Sequence, residues 1–209
     1  MTENEKLVAE MGILETPCGS AKFTVGNTFV ICEIHRFADT ENLKTKLSRN
    51  ECTVNIKNSR NETGIQENIM EGQLKQVIDG SILWDRIHRT MLLCVVRIEN
   101  EGDELFECVF NCACLALLYT GIPMSRCFAA ASLVEDRPND SQTAQSTHFN
   151  IVMSNSGAIL IFNAQSISGA KLVEHKSMLE KKIQDVFFMF KDVSCEKTLS
   201  MVKSGKYFE

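Results

Sequence analysis

Nine cysteines give this chain of 209 residues a large stock of potential nucleophiles and metal ligands. Cys108, Cys112 and Cys114 form a C-x3-C-x-C pattern, but no histidine or second cysteine pair stands at zinc-finger spacing. The pattern therefore specifies no metal site. Cys32, Cys94, Cys108, Cys112, Cys114 and Cys127 lie inside apolar runs, where a free thiol packs as a small hydrophobe. The count is odd and the start, MTENEKLVAE, carries no secretory pattern. Reduced thiols in a soluble intracellular protein, with no intrachain disulfide, are the expectation.

Acidic and basic side chains offer other chemistry. Glu104 and Glu107 stand at the start of an apolar helical stretch, where carboxylates favour the helix dipole. Glu135, Asp136 and Asp140 fall within EDRPNDSQTAQS (135–146) and could hold a divalent metal for hydrolysis, although a solvated loop explains them more simply. His148 follows as a candidate general base. Arg86, His88 and Arg89 cluster after Trp84, while Lys44, Lys46, Arg49, Lys57 and Arg60 scatter positive charge upstream. Both sets are candidate contacts to nucleic-acid phosphates. A formal net charge of −5 argues against one broad basic face but leaves room for a local basic strip.

These residues need a frame. The stretch ECVFNCACLALLYTGIPM (107–124) is apolar at nearly every position and reads as a helix buried on most sides, with Gly121 as its C-cap and Pro123 beyond. Strands are expected at 7–14, 21–25, 28–34, 52–57, 91–98 and 127–134, and a hairpin at 149–153 and 158–162 around Asn155-Ser156-Gly157. Helical spacing of Ile65, Ile69, Leu74, Val77, Ile78 and Ile82 predicts an amphipathic helix over 64–83. Leu179, Ile183, Val186, Phe187, Phe190 and Val193 predict a long one over 173–202. Polar loops fill 38–50, 58–63 and 135–146. The order implies an α+β fold in one domain over 1–209, two similar halves with central helices, the first ending near residue 90. No apolar run reaches the ~18 residues of a membrane span.

GSAKFTVGNTFVIC (19–32), NCACLALLYTGIPM (111–124) and FNIVMSNSGAILIFNAQSISG (149–169) resemble, in order and spacing, the amino-terminal hairpin, central helix and following hairpin of the RNase PH superfamily. That superfamily holds bacterial ribonuclease PH, polynucleotide phosphorylase and the six-subunit ring of the eukaryotic exosome. Its fold, related to the second domain of ribosomal protein S5, is the two-half architecture expected above. AEMGIL (9–14) leads straight into the hairpin without the Arg-rich arm of catalytic members, so the chain most resembles the smallest of the ring subunits.

The resemblance implies phosphorolysis as the ancestral chemistry, with phosphate held by Gly-Thr-Arg at a helix N-terminus. Here Glu104, Phe106 and Glu107 fall at that position, and carboxylates there repel phosphate. The family's acidic pair falls on Gln142 and His148, neither a carboxylate. Pro138 suggests that the strand before it is short. The resemblance thus implies no catalytic residue, cofactor or metal, and a non-catalytic subunit of the ring. Its expected partners are other RNase PH-like subunits, cap subunits and RNA in the channel, with a homodimer as the isolated form, in nucleus, nucleolus and cytoplasm. A residual phosphorolytic or metal-dependent hydrolytic nuclease, or a homodimer that binds nucleic acid, is the alternative.

Overall fold

The structure, a computed structural model, describes residues 7–38, 50–60, 62–87, 90–136, 146–164 and 169–203. Strands β1 (Leu7–Met11), β2 (Gly19–Val25) and β3 (Thr28–Ala38) form the expected meander, with Gly26 at φ +54° turning the second hairpin. Strand β4 (Glu51–Lys57) leads through helix α1 (Ile65–Ser81) and a 3-10 turn (Trp84–Arg86) to β5 (Thr90–Asn100). Helix α2 (Leu105–Thr120) follows, then β6 (Phe128–Asp136), β7 (Ser146–Ser154), β8 (Ile159–Ala164) and helix α3 (Gly169–Lys203).

Alternation decides which face each strand buries. Phe23, Val30, Cys32, Ile34, Cys94, Val96, Val54 and Ile56 point to one side and are buried, whereas Lys22, Ile31, His35, Val95 and Lys57 face outward and are only partly covered. Helix α2 lies across this inner face against β2 and β3 and also meets β6. Every residue from Leu105 to Leu117 is buried, as a helix apolar on all sides requires. Its close approach explains Gly19. A Cβ there would stand 2.5 Å from the carbonyl oxygen of Ala116 and collide with Thr120. The helix stops where expected, at Gly121 in the left-handed region.

The division into halves differs from the sequence expectation. Strand β5 does not open a second half; it sits inside the first sheet, whose order is β1-β2-β3-β5-β4. Alternating apolar residues mark 90–100 as a strand but carry no address for its partners. The second sheet is smaller, β6-β7-β8, so the halves are unequal. One pair, β4 with β5, is parallel and joined through α1. All other named pairs are antiparallel, which keeps the α+β class. The two chain segments that follow α1 and α2 are stitched by backbone bonds from Leu83 N–H to Pro123 and from Ser125 N–H to Ser81.

The buried stripe of α1 is also shifted. It runs through Glu67, Met70, Leu74, Val77, Ile78 and Ser81, while Ile65 is 81% exposed and Ile69 is exposed as well. At about 100° per residue, Ile65 and Ile69 fall on the side of the helix turned away from the face that meets β4. Glu135 and Asp136, expected in a loop, complete β6 opposite Thr147 and Ser146. The expected loop residues 39–49 and 137–145 lie outside the described residues.

Candidate functional site

The N-terminus of α2 is where the resemblance places a phosphate. Its N-cap, Glu104, makes no side-chain cap; its carboxylate instead accepts the Thr28 hydroxyl at 3.1 Å. Gly102, two residues earlier, leaves no room for a side chain against Thr28. Glu107 turns inward. It is 1% exposed, accepts the Ser132 N–H at 2.6 Å and pairs with the Lys182 ammonium at 3.2 Å. The expectation that Glu104 and Glu107 both confront a phosphate is therefore corrected. Glu107 braces α2 to β6 and α3, because only a paired and hydrogen-bonded carboxylate is stable at that depth.

Phe106 takes the other direction. It stacks on Phe110 with ring centroids 4.5 Å apart and lines a cavity of about 670 Å³. His148 of β7 lines the same cavity. Two residues 42 positions apart, one assigned by the resemblance to the degenerate phosphate site and the other to the degenerate acidic site, thus line one hollow. Its remaining wall comes from Gln66, Ile69, Met70 and Gln73 of α1, Glu101 to Asp103, Leu105, Asn150, and Asn163 and Ala164 of β8. Gln73 and Asn163 exchange side-chain hydrogen bonds of 3.4 and 3.3 Å, tying α1 to β8. Among the described lining residues there is no lysine or arginine, and Glu101 and Asp103 add negative charge. Carboxamides offer hydrogen bonds without neutralising an anion, so the hollow suits an uncharged ligand better than phosphate.

The other acidic-site residue, Gln142, lies outside the described residues, as does Asp140. Among the described residues no three His, Cys, Asp or Glu side chains gather as metal ligands. Nor is any described helix long and apolar enough to cross a membrane.

The candidate RNA contacts separate into two places. Arg86 is exposed on the 3-10 turn, which Asn50 fixes by donating to the carbonyls of Trp84 and Ile87 at 2.9 and 2.6 Å and accepting from Thr90 N–H at 3.0 Å. His88 and Arg89, and Lys44, Lys46 and Arg49, are outside the described residues. Lys57 ends β4 opposite Arg97 of β5, and Arg60 follows, exposed. Met91 and Arg97 are six residues apart on β5, so the Arg86 corner and the Lys57 end are separated by about 20 Å of strand. They cannot grip the same phosphate. Lys57 and Arg97 instead share a smaller polar cavity of about 370 Å³ with Asn58, Ser59 and Glu99, and Arg97 is 3.1 Å from Glu33.

Sequence reasoning missed Asn111, Lys182, Arg97 and Asn50. Asn111 is buried in α2, its amide donating to the Ala130 carbonyl at 3.0 Å and accepting the Ala130 N–H at 2.8 Å. Together with Glu107 on Ser132, it satisfies the edge of β6 that faces away from β7. A polar residue one turn after Glu107, inside an otherwise apolar helix, was the available signal. The β4 edge is guarded in part, since Glu71 accepts the Ile56 N–H at 2.6 Å.

The sequence profile described as the 3′ exoribonuclease family, domain 1 (RNase PH), matches residues 3–123, and the chain belongs to that family. Among curated proteins it is similar to the exosome complex exonuclease RRP46 homolog of Arabidopsis thaliana, 26% identical over 179 residues that span 81% of this chain and 74% of the relative. Its fold is that of the crystal structure of rice (Oryza sativa) Rrp46, with a TM-score of 0.74 at 16% identity, covering 90% of this chain and 94% of the other. The Archaeoglobus fulgidus exosome with RNA bound to the active site matches with the same TM-score at 11% identity, over 90% and 89% of the two chains.

Proposed function

We propose that this chain is a structural subunit of an exosome core ring, one that helps to build the channel for RNA without cutting RNA itself. The observation that carries the reading is the hollow shared by Phe106 and His148. It stands where the family's chemistry is expected, yet its described walls supply carboxamides and carboxylates rather than a cationic phosphate cradle. The similarity to an exosome protein of Arabidopsis thaliana supports the ring assignment. That relative is called an exonuclease, so the non-catalytic part of the proposal rests on the chemistry of the hollow.

In such a ring the neighbours are other RNase PH-like subunits and the lid is formed by cap subunits. Arg86 at one end of the sheet, and Lys57, Arg60 and Arg97 at the other, add positive charge to whatever RNA path the assembled subunits define. Nucleus, nucleolus and cytoplasm are the compartments this role proposes.

Two outcomes are expected. Affinity capture of the tagged full chain from native lysate recovers other RNase PH-like subunits in equal proportion; recovery of a second copy alone would overturn the ring assignment. The purified chain, given 3′-labelled RNA and inorganic phosphate, releases no nucleoside diphosphate above background. Loss of a working acid alone removes about a hundredfold or more in rate, and the missing cations act on phosphate affinity besides. Release that rises with phosphate and disappears in His148→Ala would show a phosphorolytic enzyme, and shortening with magnesium alone would show a hydrolytic one.

A further inference from the structure

The hollow of about 670 Å³ beside the start of α2 has two kinds of wall. Phe106, stacked on Phe110, and Ile69, an exposed apolar side chain of α1, supply apolar surface. Gln73 and Asn163 supply a pair of carboxamides, and Glu101 and Asp103, in the turn between β5 and α2, supply carboxylates. We propose that this hollow binds an uncharged nucleoside, and that it takes the free nucleoside in preference to one bearing a phosphate. The proposal rests on the non-catalytic role proposed for the hollow, whose described lining residues include no lysine or arginine.

The base has a counterpart in the carboxamides and the apolar wall. Gln73 and Asn163 each donate one N–H to the other and accept one in return. Each amide therefore keeps a second N–H and a second oxygen lone pair. At 3.4 and 3.3 Å the two bonds are longer than the usual N–H···O range, so a ligand can share these groups at little cost. A donor beside an acceptor is the pattern that the edge of a nucleobase matches, as the carboxamides of Asn and Gln do with adenine. The flat π faces of a base stack on an aromatic ring such as that of Phe106. A free sugar offers neither the edge nor the flat face.

The ribose has its counterpart in the carboxylates. Its hydroxyls are donors, and an acidic side chain is the usual acceptor for them. Glu101 and Asp103 are both exposed at the hollow and can turn toward a sugar. The same two groups reject a phosphate. They repel a dianion, and the carboxamides form hydrogen bonds without neutralising its charge. The volume lies within the range of small-molecule pockets.

The test titrates adenosine, adenosine 5′-monophosphate and inorganic phosphate, each alone, into the purified full chain by calorimetry. The monophosphate stands for the last residue of an RNA, so that arm separates a free nucleoside from an RNA end. Adenosine should bind, and the monophosphate at least about tenfold more weakly, because its phosphate meets Glu101 and Asp103. Gln73→Leu and, from the other half of the pair, Asn163→Leu should each weaken adenosine several-fold. Glu101→Gln/Asp103→Asn, at two exposed positions, keeps acceptors for the ribose and removes the repulsion. It should bring the two ligands to within about threefold of each other. No binding of adenosine, a monophosphate that binds as tightly, or a preference unchanged in the Glu101→Gln/Asp103→Asn chain would overturn the proposal. Failure of adenosine with no binding of phosphate leaves the non-catalytic role standing, whereas phosphate that binds alone overturns that role too.

Discussion

Asn111→Ala should lower the unfolding free energy by about 2–5 kcal/mol, although it removes only a small neutral side chain. The amide serves as a surrogate strand. It meets both the N–H and the carbonyl of Ala130 at 2.8 and 3.0 Å, in a place where water has no access. Alanine would leave both backbone groups buried without that partner, and each such group costs about 1–3 kcal/mol. Asn111→Asp keeps the acceptor but turns the donor into an anion facing a carbonyl, so it should be no milder. Urea denaturation checks both, with an unchanged slope expected for a native state that is weakened but not rearranged. A loss below about 0.5 kcal/mol, within the range of ordinary surface substitutions, would show that the bracket contributes little.

Lys182→Met is the second large effect. Lys182 pairs with Glu107 at 3.2 Å and donates to the Ser132 carbonyl at 3.3 Å, while Glu107 holds the N–H of the same serine. Removing one partner of a buried pair costs about 3–5 kcal/mol because the other charge stays in the core. The lysine side chain is 31% exposed, and water reaching it brings the expected loss down to about 2–3 kcal/mol. The double variant Glu107→Gln/Lys182→Met keeps an acceptor for Ser132 and removes both charges, so it should regain most of that stability. Thermal unfolding of the four proteins in a mutant cycle reads the coupling directly. If the double variant is as weak as Lys182→Met, the damage comes from lost packing of the lysine stem rather than from stranded charge.

Much of the architecture was legible because it follows from patterns of one period at a time. The run from Cys108 to Leu117, the Gly121 stop and the alternation in 19–32 each fix an element without reference to the rest of the chain. What could not be read was long-range. The sequence of β5 does not say that it lies between β3 and β4. Ile65 and Ile69 are spaced by one helical turn, yet the packed face lies on the other side of α1, set by where β4 stands. The candidate site shows the same limit. The resemblance placed Phe106 at the phosphate position and His148 at the acidic one, and both line one hollow. It also placed Glu107 at the phosphate position, whereas the side chain turns toward Lys182, a residue 75 positions away that no local pattern connects to it.

The placement of β5 also orders events in time. Strand β4 pairs only with β5 in its sheet, and β5 arrives after α1 has been made. A chain leaving the ribosome can close the β1-β2-β3 meander at once, since those contacts are local, but β4 must wait until residues 90–100 have emerged. During that interval the β3 edge is an open ladder, the kind of template that captures a foreign strand. Loop closure between β3 and β5 comes late and is slow. A nascent chain of this protein is therefore most in need of a chaperone between the completion of β3 and the seating of β5, a window set by topology rather than by any weakness of the finished sheet.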